Sequence, residues 1–128
     1  LNIDSQALEI IDNEFDLSEN KAVNEQLFIR LVGEISSIQI GFDVGETSLS
    51  PDQNTGLDKV TENYINIERL ANKLNRSANL VIVGASDSSG ERSFNQKLSR
   101  QRALVVREAL IERGLKPEHI FSVGISEI

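Results

Sequence analysis

An acid and a base, Asp87 and Arg102, flank a turn that joins an apolar run to an amphipathic one. A carboxylate accepts several N–H donors, and a guanidinium fits a carboxylate as a two-pronged donor. The residues around Asp87, from Gly84 to Gly90, are mostly serine and glycine, a composition typical of a turn. We therefore expect a strand-to-helix junction that binds a ligand carrying both an ammonium group and a carboxylate.

The position of Arg102 in the helix predicted after this turn is unusual. At about 100° per residue, the apolar residues of that helix occupy one arc of roughly 160°, and Arg102 falls inside it. Burying an unpaired guanidinium is costly, so the side chain either reaches out at the rim or is held for an anion. An internal ion pair with Asp87 that only fixes the loop is the alternative. The apolar members of the arc are Leu98, Ala103, Val105, Val106, Ala109 and Leu110.

A longer motif surrounds this pair. It reads Val81-Ile82-Val83-Gly84-Ala85-Ser86-Asp87, Gly90, Asn95, Leu98-Ser99, Arg102-Ala103 and Val123-Gly124-Ile125-Ser126-Glu127, preceded by Phe42, Gly45, Leu49, Pro51 and Leu57. This pattern resembles the OmpA-like domain, the peptidoglycan-binding module shared by OmpA C-terminal domains, Pal lipoproteins and MotB-type stator proteins. The resemblance covers about residues 38 to 128.

The resemblance implies a ligand and a role for each site residue. Asp87 would take the ammonium and Arg102 the carboxylate at the free end of diaminopimelate in the peptidoglycan stem peptide. Supporting contacts would come from Asn95, Ser86 and the N–H groups of Ser88, Ser89 and Gly90. The chain departs from the family pattern where Ala85-Ser86 replaces His-Thr and where Ser126 replaces a common glycine. It also stops at Ile128, before a usual Asn-Arg-Arg-Val segment, so we expect one open sheet edge.

The implied function is a non-catalytic module that grips peptidoglycan in the periplasm and tethers an envelope protein to the cell wall. The alternative is an OmpA-like interaction or assembly domain that no longer binds peptidoglycan and contacts other envelope proteins. We predict no enzyme, because the single histidine, His119, lies far from the serines around Asp87. We also predict no cofactor and no metal site, since there is no cysteine and no calcium-loop spacing.

Composition limits the partners further. The 128 residues fit one core, and the net charge of −7 combines −10 over residues 1–66 with +3 over residues 67–128. Overall acidity, one tyrosine and no tryptophan argue against nucleic-acid binding despite the basic second helix. The sequence has neither an apolar run of membrane-spanning length nor a signal segment, so any membrane attachment is expected through a segment outside this fragment.

Periodicity predicts an α/β fold, a two-layer sandwich with a βαβαβ core in which helices pack on a small mixed sheet. The first strand is expected at Ser37–Phe42, followed by a helix that starts with a Ser50 cap, Pro51 and a capping-box Gln53. That helix carries an apolar stripe in which Tyr64 is a core residue. The later elements are a strand at 79–83, a helix at 93–113 closed by Gly114, and a strand at 120–125.

The resemblance and the predicted elements together suggest two parts of the chain. We expect residues 37–128 to form the OmpA-like domain. Residues 1–36 are an N-terminal extension, partly helical over 20–35, which we expect to pack on the domain and cover the open sheet edge.

Overall fold

The computed structural model describes residues 20–86 and 90–125. Within these residues, three helices and two strands follow one another as α1 (Lys21–Ser36), α2 (Asn54–Lys73), β1 (Leu80–Gly84), α3 (Arg92–Glu112) and β2 (Ile120–Gly124). Short 3₁₀ turns at Pro51–Gln53 and Pro117–His119 precede α2 and β2. The described residues divide into two compact units, one made of 20–38 with 59–78 and the other of 39–58 with 79–86 and 90–125.

The first unit is a small helical core. Leu27 and Leu31 of α1 cluster with Ile67 and Leu70 of α2, and Leu31 is fully buried. Burying a leucine or isoleucine side chain contributes about 1.5–3 kcal/mol, so these contacts hold α1 in place. The helix predicted over residues 20–35 is confirmed. The half-buried residues around this cluster are Phe28, Ile35, Leu74 and Ala78.

The end of α2 is closed by backbone geometry. Asn75 adopts a left-handed conformation with φ of 58°, and the Arg76 N–H donates to the Ala71 carbonyl at 2.8 Å. Together with the Asn75 N–H to Asn72 carbonyl bond at 3.2 Å, this is a Schellman cap. The Arg76 side chain then pairs with Glu25.

Tyr64 anchors the chain that leaves α2. Its side chain is 2% exposed and its hydroxyl donates to the Ala78 carbonyl at 2.9 Å. Burial, then the neighbouring Glu68 carboxylate, raises the pKa of Tyr64 to about 12. The prediction that Tyr64 is a core residue is confirmed.

The second unit contains the sheet. β1 and β2 pair in parallel from Leu80 opposite Ile120 to Gly84 opposite Gly124, and α3 packs against both strands. Gly84 is needed there, because an added Cβ would lie 1.9 Å from the Ser99 carbonyl oxygen. The end of β1 is therefore pressed directly against α3. The α/β class is confirmed, whereas the sheet of the described residues is a parallel pair and not a mixed one.

The strand predicted at Ser37–Phe42 is wrong: these residues carry no strand in the structure. Their burial does alternate as predicted, with Ile40 and Phe42 half-buried and Gly41 exposed. However, the Gly41 N–H donates to the Gln53 side-chain oxygen at 2.9 Å, so a side chain replaces a ladder partner. Gln53 consequently does not act as the predicted capping-box residue, and the Ser50 hydroxyl bonds to Asp52 instead of capping the helix.

The later elements lie close to their predicted bounds. β1 and α3 each differ from the prediction by one residue, and β2 ends at Gly124. Gly114, with φ of 105°, closes α3 as predicted, and the Leu115 N–H donates to the Leu110 carbonyl in a second Schellman cap. The proposed packing of residues 1–36 on the domain and the covered sheet edge stay predictions.

Candidate functional site

β1 delivers the chain to the junction that the sequence singled out. After Gly84 the Ser86 hydroxyl donates to the Asn95 carbonyl at 2.9 Å, which ties the start of the loop to the first turns of α3. Gly90, where the described chain resumes, has φ of 90°, a conformation that favours glycine. The predicted turn role of Gly90 is confirmed, and Ser86, Gly90 and Asn95 lie at one junction.

Arg102 points from α3 to the same end of β1. Its Nε donates to the Glu46 carbonyl at 2.8 Å, its Nη2 to the Asp43 carbonyl at 2.9 Å and its Nη1 to the Ala85 carbonyl at 3.2 Å. The guanidinium also lies 5.2 Å from the centre of the Phe42 ring, in cation–π distance. The expectation that Arg102 needs a partner is thus met by backbone carbonyls and an aromatic ring.

These contacts orient the guanidinium and use only some of its N–H donors. Arginine has five N–H donors, and the three carbonyls account for three of them. Among the contacts with residues 20–86 and 90–125, each terminal nitrogen of Arg102 bonds one carbonyl, and each nitrogen has a second N–H. An oxyanion can accept hydrogen bonds from such N–H groups. Binding costs little side-chain entropy when the guanidinium is already oriented, because few arginine rotamers remain to be lost.

The turn Asp43–Glu46 is the part of the site that sequence reasoning missed. Its Glu46 N–H donates to the Asp43 carbonyl at 3.0 Å, and Gly45 has φ of 73°. The Asp43 carbonyl therefore accepts from both Glu46 and Arg102. Phe42 and Gly45 belong to the recognised motif, but their spacing does not indicate that Arg102 contacts this turn. Arg102 is 56 residues from Glu46 and 59 residues from Asp43 in the sequence.

The predicted site residues divide into two groups. The structure brings Ser86, Gly90, Asn95 and Arg102 to the β1–α3 junction. Asp87, Ser88 and Ser89 lie outside the described residues, so their predicted contacts and the alternative Asp87–Arg102 pair stay predictions. Leu98 and Ala103, which belong to the apolar arc of the predicted helix, are buried.

Hydrolytic chemistry has no support within residues 20–86 and 90–125. The Ser86 hydroxyl donates to a backbone carbonyl, and His119 lies 3.3 Å from the Asn79 side-chain oxygen. Both His119 and Asn79 precede their strands, whereas the junction follows the end of β1. In the same residues no cluster of three His, Cys, Asp or Glu side chains could hold a metal, and none of the helices there is long and apolar enough to cross a membrane.

Comparison with known proteins extends these observations. A model of the OmpA family matches residues 41–127. The peptidoglycan-binding protein ArfA of Mycobacterium tuberculosis is 34% identical over 59% of this chain and 24% of its own. Outer membrane protein A of Bordetella avium is 30% identical over 65% of this chain and 39% of its own. The chain thus spans less than half the length of either relative.

A solved structure shows the same fold. The OmpA-like domain of FopA1 from Francisella tularensis superposes with a TM-score of 0.52 at 22% identity, over 66% of this chain and 52% of that one. The family match covers most of the chain and includes the whole β1–α3 junction and the turn that Arg102 holds. The chain therefore belongs to the OmpA family.

Proposed function

We propose that this chain is a non-catalytic module that binds peptidoglycan and tethers an envelope protein to the cell wall from the periplasmic side. The observation that carries the proposal is the fixed Arg102 guanidinium at the end of β1, where the loop with Asp87 begins. A related protein of the same family is named as peptidoglycan-binding. These two points support the wall polymer as the partner.

The finer proposal is the part of the polymer that is recognised. Arg102 would bind the carboxylate, and Asp87 the ammonium, at the free end of diaminopimelate in a stem peptide. Asn95, Ser86 and the N–H groups of Ser88, Ser89 and Gly90 would support the loop and the ligand. Charge-assisted hydrogen bonds contribute about 1.5–3 kcal/mol each, offset by association entropy, so one stem would bind in about the micromolar to millimolar range. Many stems on one polymer raise the effective strength.

Calorimetric titration with a diaminopimelate-containing muropeptide tests this proposal. Asp87→Asn keeps the side-chain shape and removes the charge, so it should weaken binding at least about tenfold. Asp58→Asn is the matched control, because Asp58 is an exposed aspartate that pairs with Arg113 on another surface of the same unit. Equal affinity in the wild type, Asp87→Asn and Asp58→Asn would remove the junction from consideration.

A second function is favoured by one observation. The Arg102 guanidinium already bonds three carbonyls of its own chain, which is the arrangement expected if the arginine has become a purely structural clamp. In that case the domain would serve protein assembly in the envelope without binding the wall. Cosedimentation with purified sacculi separates the two functions: a folded wild-type protein that stays in the supernatant supports the assembly domain.

A further inference from the structure

In the part of the chain that the structure describes, two arginines lie over phenylalanine rings. The Arg102 guanidinium carbon is 5.2 Å from the centre of the Phe42 ring, and that of Arg76 is 5.5 Å from the centre of the Phe28 ring. Both distances allow a cation–π interaction, in which the negative face of the ring attracts the cation. Both rings are half-buried. The two pairs differ in the other groups that bind the guanidinium.

The charge of Arg76 is neutralised by an acid. Its Nη2 donates to a carboxylate oxygen of Glu25, and this hydrogen bond from Arg76 lowers the pKa of Glu25. The carboxylate and the Phe28 ring therefore hold Arg76 in a contact that joins the end of α2 to α1. This pair has the composition of a structural ion pair.

Arg102 is held by polar groups that carry no net charge. Its three nitrogens donate to the carbonyls of Asp43, Glu46 and Ala85, and the Phe42 ring is neutral. The carbonyl dipoles and the negative ring face stabilise the guanidinium, but they do not cancel its positive charge. An anion that reaches the β1–α3 junction is therefore attracted by a cation that these contacts have oriented without neutralising it.

Phe42 and the turn that Arg102 holds come from one segment of the chain. Phe42 directly precedes Asp43, so the same backbone supplies the ring and two of the carbonyls. The N–H donors of a guanidinium lie in its plane. The carbonyls consequently hold its edge, whereas the ring lies against its central carbon. Contacts in different directions leave the arginine few rotamers, which lowers the entropy that is lost when an anion binds.

We propose that Phe42 is a positioning residue of the candidate site, whose ring holds the Arg102 guanidinium in the orientation that receives the ligand carboxylate. The inference rests on the proposed function, because the ligand is the diaminopimelate end of a stem peptide. Without the ring, the guanidinium would populate further rotamers, and binding would have to restore one of them. The Phe28–Arg76 pair, which Glu25 neutralises, is the internal comparison.

The first test measures affinity by calorimetric titration with a diaminopimelate-containing muropeptide. Phe42→Leu keeps an apolar side chain and removes the ring face, so it should weaken binding about three- to tenfold. Phe42→Tyr restores the ring face and should recover the lost affinity. Phe28→Leu is the matched control, because it removes the ring of the other pair, and it should bind the muropeptide like the wild type.

The second test is NMR of the unliganded protein, which separates positioning from stability. The terminal N–H groups of Arg102 exchange by rotation about the Nε–Cζ bond. This rotation should become faster in Phe42→Leu, because fewer contacts hold the guanidinium, and it should stay slow in Phe28→Leu. A loss of stability alone would not change the rotation rate in the folded protein.

Several results would overturn the inference. These are wild-type affinity or an unchanged Arg102 rotation rate in Phe42→Leu, an equal loss of affinity in Phe28→Leu, and a loss in Phe42→Tyr as large as that in Phe42→Leu. A folded wild-type protein that does not bind the muropeptide would reject the proposed function. Faster Arg102 rotation in Phe42→Leu would in that case still support the positioning of the guanidinium by Phe42.

Discussion

Arg102 has two tasks that a binding experiment must separate. Its guanidinium holds the carbonyls of Asp43, Glu46 and Ala85, and the same group is proposed to receive a ligand carboxylate. Removing it would therefore disturb the turn Asp43–Glu46 as well as the ligand. Asp87→Asn is the cleaner variant for binding, and Arg102→Ala is the cleaner variant for stability.

We predict that Arg102→Ala lowers the free energy of unfolding by about 1–3 kcal/mol, because three charge-assisted bonds to carbonyls are lost from a half-exposed position. Urea denaturation monitored by circular dichroism measures the change. Lys97→Ala is the control on the same helix, since Lys97 is exposed, and it should stay within about 0.5 kcal/mol. Equal stability of Arg102→Ala and wild type would contradict the clamp.

Tyr64 gives a prediction that depends on pH. The pKa of Tyr64 in the folded protein is about 12, against an ordinary tyrosine pKa of 10.0, so the folded state binds the phenolic proton more tightly than the unfolded state. This contribution to stability is complete below pH 10 and is lost as pH rises from 10 to 12. Because Tyr64 is the only tyrosine and there is no tryptophan, phenolate absorbance reports it directly. Ionisation near pH 10 in the folded protein would contradict its burial.

At the residue scale, the sequence predicts that Arg102 needs a partner but not which one. Its position in an apolar arc is local information, whereas Asp43 and Glu46 are brought to it by the fold. A backbone carbonyl that accepts a hydrogen bond also cannot be identified from residue type, because every residue has one. The motif therefore names the candidate site residues, but it does not indicate which groups Arg102 contacts.

The elements position the site through one close approach. β1 ends against α3 at Gly84, and this contact places Ser86 beside Asn95. The caps of α2 and α3 then fix where each helix stops, with Asn75 and Gly114 in left-handed conformations. A change at the β1–α3 contact should consequently alter both the free energy of unfolding and the affinity for a ligand at the junction.

Gly84→Ala is predicted to lower the free energy of unfolding by at least about 2 kcal/mol, because the added Cβ would lie 1.9 Å from the Ser99 carbonyl oxygen and 3.0 Å from the Ala103 Cβ. Gly33→Ala is the matched control: nothing lies within 4 Å of its added Cβ, and alanine favours the interior of α1. That control should gain about 0.5–1 kcal/mol. Thermal denaturation of both variants measures the difference, and equal midpoints would contradict the close approach.

Leu31→Ala tests whether α1 is an integral part of its helical unit. The side chain is fully buried beside Leu27, Ile67 and Leu70, so we expect a loss of about 2–5 kcal/mol in the free energy of unfolding. Ile29→Ala, at a position 66% exposed on the same helix, should change stability by less than about 0.5 kcal/mol. Chemical denaturation of the two variants gives the comparison. Similar small losses in both would mean that α1 does not pack as described.

At the element scale, helical periodicity was sufficient to predict α1, α2 and α3, and Gly114 marked the end of α3, whereas the predicted cap and capping box at the start of α2 did not form. The strand predicted at Ser37–Phe42 failed for a physical reason. An alternating pattern predicts which side chains are buried, and the alternating burial of residues 38–42 agrees with it. A strand also needs backbone hydrogen bonds to a neighbouring strand. Here the Gly41 N–H bonds the Gln53 side chain, an interaction that a period-two pattern does not encode.

At the scale of the whole molecule, membership of the OmpA family is shown by the match over residues 41–127. The motif around the β1–α3 junction was sufficient to identify that family from the sequence. The net charge of −7 conceals a basic half, because residues 67–128 carry a net charge of +3.

The most direct test of the central claim is an NMR titration of the labelled protein with a diaminopimelate-containing muropeptide. We predict that the amide signals of residues 84–90 and Asn95, together with the Arg102 Nε–H signal, shift in a saturable way. These shifts should disappear in Asp87→Asn and persist in Asp58→Asn. Saturable shifts confined to other residues, or no shifts at all in the folded wild type, would contradict a peptidoglycan site at the β1–α3 junction.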